Sequence, residues 1–125
     1  MPSLLKQLRQ AYPQLSFKAA ADFSWQPVSK TITYPKNDVD EALLLHELGH
    51  ATLGHSGYSR DIELLGLERE AWTKARQLAN DLGLVIAQDR IDNHLDTYRD
   101  WLHARSTCPN CQSSGAQISA NQYSC

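Results

Sequence analysis

The sequence predicts an α+β fold, and three observations lead to it. The stretch from Leu15 to Tyr34 carries "LSFKAAADFSW" and "SKTITY", rich in β-branched and aromatic residues, which reads as two or three short strands. Three segments with apolar residues at helical spacing follow it. Strands and helices are therefore segregated along the chain rather than alternating, which is the α+β pattern. With 125 residues, 42% of them hydrophobic, one modest core can be buried. We expect a single domain over residues 1–105 and a cysteine-containing tail over 106–125.

Taken in order, Ser3 is placed to cap a short helix whose apolar positions Leu4, Leu5, Leu8 and Tyr12 keep helical spacing until Pro13 stops it. Gln26-Pro27 marks a turn between the strand segments. Asp38 followed by Glu41 reads as a capping box opening the helix that contains "LLLHELGHATLGH". Gly54 and Gly57 end that helix and begin a loop of about a dozen residues. A second helix runs from about residue 63 to 82 and is closed by Gly83, suited to a left-handed cap. A third spans about residues 88–104, where Ile91, Leu95, Tyr98 and Leu102 form a stripe at steps of four, three and four. From Ser106 onward the chain shows no periodicity.

Several function classes lose support from composition. A net charge of -2 gives no bulk attraction to nucleic acid or acidic membranes. Lys6, Gln7, Arg9 and Gln10 interrupt the N-terminal leucines, so the apolar run of a signal peptide is missing, and no window approaches a membrane span. The three cysteines, Cys108, Cys111 and Cys125, are an odd count with one C-x-x-C pair, which suits metal binding better than a disulfide framework. A reducing cytoplasm is the expected location.

The chemistry concentrates in His46-Glu47-Leu48-Gly49-His50, an H-E-x-x-H arrangement. Residues four apart stack on one face of a helix, so both imidazoles can reach one zinc ion while Glu47 stands beside it. With five histidines and five glutamates, shuffled sequences would contain this spacing in fewer than about one case in 100. Leu43, Leu44, Leu45, Leu48, Ala51 and Leu53 make the helix apolar almost all round, hence buried, and a metal would compensate the buried polar groups. Such an ion brings the pKa of its water to about 7, and Glu47 is placed to take the proton.

A third ligand is sought on the next helix. Its apolar stripe runs Leu64, Ala71, Ala75, Leu78 and Leu82, and Glu68 fills the one gap in that pattern. A core-facing carboxylate is costly unless it is paired, so Glu68 is favoured as the ligand. Glu70 shares a face with Glu63, Lys74, Gln77 and Asp81, where it can pair with Lys74 as a surface charge. Small Ala71 would let the two helices approach closely. His55 lies one residue short of a third histidine ligand in the three-histidine pattern, and reads as ending its helix near the negative dipole end. His94 and Tyr98, a turn apart, could steady an oxyanion, although an aromatic on an amphipathic stripe, as Tyr98 is, fits core packing better.

"LLLHELGHATLGH" followed by "LEREAWTKARQLA" resembles the ImmA/IrrE family of small zinc metallopeptidases, which share H-E-x-x-H and a later E-x-x-A helix. The resemblance implies a gluzincin-type fold, a small antiparallel sheet packed on an active-site helix and a glutamate helix. It implies His46 and His50 as zinc ligands, Glu68 as the third, and Glu47 as the general base. It also implies a proteinaceous substrate, including the kind of transcriptional regulator that family members cleave. Trp72-Thr73 stands where the family commonly has Phe followed by Ala. The SprT-like peptidases, which join H-E-x-x-H to a zinc ribbon, are a second comparison, but their later histidine motif is missing here.

Cys108-Pro109-Asn110-Cys111 starts like a zinc knuckle, and Cys125 would begin a second pair. A closed structural site wants four ligands, so His103, a partner or further chain would complete a second zinc site. We therefore expect a zinc-dependent endopeptidase that holds substrate in extended form at a sheet edge near Thr31 to Tyr34. The rival from another class is a non-catalytic zinc protein that binds a partner on the same scaffold.

Overall fold

The computed structural model describes residues 3–57, 60–107, 115–119 and 122–124. In chain order the elements are α1 (Leu4–Ala11), β1 (Ser16–Ala20), β2 (Ser24–Gln26), β3 (Thr31–Pro35), α2 (Glu41–Leu53), α3 (Asp61–Asp81), α4 (Gln88–Ser106), β4 (Ala116–Ser119) and β5 (Gln122–Ser124). The α+β class is as expected. The chain forms two units, residues 1–56 with 70–85 and residues 57–69 with 86–125, and the border between them falls inside the unbroken helix α3.

In the first unit, Ser3 caps α1 by accepting from the Lys6 amide at 3.2 Å. Leu4 and Leu8 are buried, and Arg9 reaches the sheet through the Phe17 carbonyl at 3.2 Å and the Tyr34 hydroxyl at 3.0 Å. The sheet has the order β1-β3-β2. It is mixed rather than antiparallel, because β1 runs parallel to β3 while β2 is antiparallel to it. The alternation of side chains tells which face a residue takes but not which strand lies beside it. Residues 21–23 carry the chain from β1 past the position of β3, and β3 then returns between its two predecessors. Residues 27–30 make the β2–β3 turn, with Lys30 at a φ of 51°. As the central strand, β3 is not the expected docking edge for an extended substrate: both its sides are occupied, and Ile32, Thr33 and Tyr34 are buried.

The N-cap of α2 is Asp40, whose carboxylate accepts from the Leu43 amide at 3.1 Å, and not Asp38. Cap and helix start are set by which residue keeps extended dihedrals, and Asp40 does. Gly54 ends the helix at a φ of 71°, a left-handed conformation that favours glycine. Gly83 does the same after α3 at a φ of 73°. The link from α2 to α3 is shorter than expected, since α3 already begins at Asp61, where Asp61 and Glu63 supply favourable charge to its first turn.

In the second unit, Leu65, Ile86, Ile91 and Leu95 are buried, the last two belonging to the expected stripe of α4. Asp61 is buried and bonded to Arg105 at 2.7 Å and to the Tyr123 hydroxyl at 2.5 Å, while its own amide donates to Gln117 at 2.5 Å. The tail, which lacks helical periodicity, contributes the antiparallel pair β4–β5 that carries Gln117 and Tyr123. Burial raises the pKa of Asp61, but hydrogen bonds from Tyr123 and Arg105 outweigh this and leave it lowered. Among the described residues, no helix is long and apolar enough to cross a membrane.

Candidate metal centre

The site starts from helix periodicity. On α2, His46 and His50 are four apart and project from one face. They are 2% and 8% exposed, among Leu44, Leu45 and Leu48, which are fully buried. Between them, Gly49 lies against α3 where a β-carbon would collide with the Ala71 carbonyl oxygen. Glycine and alanine at that crossing let the two backbones approach closely. Glu68 sits three residues before Ala71 on the same continuous helix, so the crossing that fixes Ala71 also places Glu68.

Ligand atoms of His46, His50 and Glu68 all lie within 4.8 Å of one another, and all three residues are buried. This group could hold a metal ion. Two imidazoles and a carboxylate form a donor set that suits a borderline divalent ion such as zinc. Donors about 2.1 Å from a common ion stand roughly 3.4 Å apart in tetrahedral geometry, so small side-chain rotations would close the set. Of the two glutamates weighed from sequence, Glu68 is the one brought to the histidines. Glu47 is outside the ligand group, with its carboxylate 3.7 Å from His46 Nδ1 and its side chain 12% exposed.

Two ring contacts steady the histidines. Trp72, 1% exposed, stacks on the His46 ring with centroids 4.3 Å apart and planes 10° from parallel. The rings of His46 and His50 meet edge to face at 4.7 Å. Stacking restricts the His46 ring to one plane without using either nitrogen.

The surroundings of His50 are less expected. Its Nδ1 lies 2.9 Å from Nδ1 of His55, and Nε2 of His55 lies 3.0 Å from Oε2 of Glu70. His55 is held in turn by Trp25, whose indole N–H donates to the His55 carbonyl at 2.8 Å. Glu70 is exposed, as expected of a surface charge, and it pairs with His55. His55 follows the C-cap Gly54 of α2, near the helix end where the sequence places it, and that turn brings its ring back to His50. Gly54 in the left-handed region lets the His55 amide donate to the His50 carbonyl at 3.0 Å and the Gly54 amide to Ala51 at 3.2 Å. That turn characteristically brings together the two side chains found here in contact. A glycine following the helix, with His on both sides at the right offsets, was the available signal.

No protein-family model, curated protein or solved structure matches the chain. The likeness to a known family therefore rests on the motif residues alone. Cys108, Cys111 and Cys125 lie outside the described residues. His94 and Tyr98 pack ring to ring at 5.5 Å on α4. A cavity of about 520 Å³ adjoins the C-terminal end of α2, walled by Tyr12, Leu15, Trp25, Lys30, Thr52 and His55.

Proposed function

We propose that the protein is a zinc-dependent metallopeptidase of the gluzincin type, similar to the ImmA/IrrE peptidases, acting on a protein or peptide in a reducing compartment such as the cytoplasm. The observation that carries this is the convergence of buried His46, His50 and Glu68 within 4.8 Å, with the Glu47 carboxylate next to them. A divalent ion held by three protein ligands supplies a Lewis acid and an acidified water.

The chain's own groups have distinct tasks in that reaction. Glu47, part-exposed and not among the ligands, accepts a proton from the attacking water as the C–O bond forms at the peptide carbonyl. The same carboxyl returns that proton to the amide nitrogen as the C–N bond breaks, which completes hydrolysis. His46, His50 and Glu68 bind and orient, and the apolar residues around them exclude bulk water. Extended substrate would pair along β1 or β2, the strands that flank β3. The ImmA/IrrE likeness points to a transcriptional regulator among possible substrates.

The test is Glu47→Gln. Zinc content should be retained, and hydrolysis of a fluorogenic peptide library by the zinc-loaded protein should fall by about 10²–10⁴-fold. Equal metal content with no hydrolysis by the natural sequence would instead favour a non-catalytic zinc-binding regulator built on the same scaffold.

A further inference from the structure

We infer that His55 and Glu70 are positioning residues that lock His50 in its Nδ1–H tautomer and so reserve His50 Nε2 as the metal-binding nitrogen. The inference deepens the metal-centre reading above and rests on it for its consequence, but the lock itself is a property of the metal-free chain.

The reasoning follows the protons from the outside inward. A contact of 3.0 Å between a ring nitrogen and a carboxylate oxygen is favourable only with a proton between them. The Glu70 carboxylate, on a side chain 64% exposed, offers acceptor oxygens, so that proton belongs to Nε2 of His55. A neutral His55 that is protonated on Nε2 has a lone pair on Nδ1. The proton bridging the two Nδ1 atoms at 2.9 Å must then come from His50. His50 is thereby Nδ1–H, with its lone pair on Nε2. The opposite assignment would set a lone pair of His55 against the Glu70 carboxylate. Hydrogen bonds from one imidazole nitrogen fix what the other can bind, and a carboxylate at the far end raises the basicity of the ligand.

The geometry that delivers this is built in by the fold. Gly54 turns the chain so that the His55 amide bonds to the His50 carbonyl, and Trp25 holds the His55 carbonyl at 2.8 Å. The His55 side chain is 10% exposed, so its bond to His50 is part-buried and sheltered from competing water, whereas its bond to Glu70 lies at the surface. It also walls the 520 Å³ cavity, while Glu70, the outer end of the chain of bonds, is 64% exposed.

The experiment uses the full chain, metal-free, with ¹⁵N-labelled histidine, at about pH 8, above the ordinary histidine range. Ring nitrogen shifts should report His50 as Nδ1–H and His55 as Nε2–H. In His55→Phe, His50 should move to the Nε2–H form, and affinity for Zn²⁺ alone should fall by about 10- to 100-fold with unchanged stoichiometry. Glu70→Ala, a change at an exposed side chain, should leave the fold intact and loosen the tautomer of His55, with a smaller loss of zinc affinity. Finding His50 as Nε2–H in the natural sequence, or unchanged in His55→Phe, overturns the proposal. Failure of the natural sequence to bind Zn²⁺ with His50 still Nδ1–H would overturn the metal centre and leave the lock standing.

Discussion

Gly49 and Ala71 meet so closely that the α-carbon of one and the carbonyl of the other leave no room for a methyl group between the helices. This contact sets how closely α2 and α3 approach at that crossing. Gly49→Ala should force α2 and α3 apart and cost about 1–3 kcal/mol of stability, as overpacking does. Zinc affinity should fall as well, although no ligand is changed. Urea unfolding together with a zinc titration checks both.

The stack of Trp72 on His46 offers an optical readout of the site. Co²⁺ or Cu²⁺ bound at His46 would lie within quenching range of that indole, which stacks on a ligand ring, whereas Trp25 is bonded to the backbone of His55. Fluorescence should therefore drop on titration, and most of the drop should vanish in Trp72→Phe. Trp72→Ala should be far more damaging, at about 3–5 kcal/mol, since a fully buried ring is lost.

Metal removal should lower stability through mass action. At free zinc about 100 times the dissociation constant, binding contributes about 2.7 kcal/mol. Chelation should thus reduce the melting temperature, while Glu68→Ala, with one ligand gone, should show a much smaller difference with and without zinc. An undiminished difference in that variant would remove Glu68 from the ligand set.

The second unit carries its own pH dependence. Asp61 has a lowered pKa, so its carboxylate contributes stability above the ordinary value of about 3.9 and loses it as pH falls through the lowered folded value. Tyr123 is raised, first by burial and then by Asp61, so its neutral form contributes below about 10 and is lost as pH rises through the raised value. Urea unfolding of the natural sequence and Asp61→Asn should differ most between those limits and converge under strong acid. A constant difference down to about pH 2 would mean that ionisation of Asp61 is not what stabilises the unit.

The sequence by itself determined the α+β class, the four helices with errors of only a few residues at their ends, and the three residues His46, His50 and Glu68 that converge as a group able to hold a metal ion. These follow from local rules: helical spacing, turn glycines, and the cost of leaving a carboxylate in an apolar stripe, which separated Glu68 from Glu70. Only the tertiary structure decided that β3 lies between β1 and β2, that Trp72 covers His46, and that Glu70, fifteen residues from His55, completes a chain of bonds to His50. Periodicity fixes the face on which a side chain emerges. What that face meets is set by packing between segments distant in sequence, and the protons of His50 are arranged by just such a meeting.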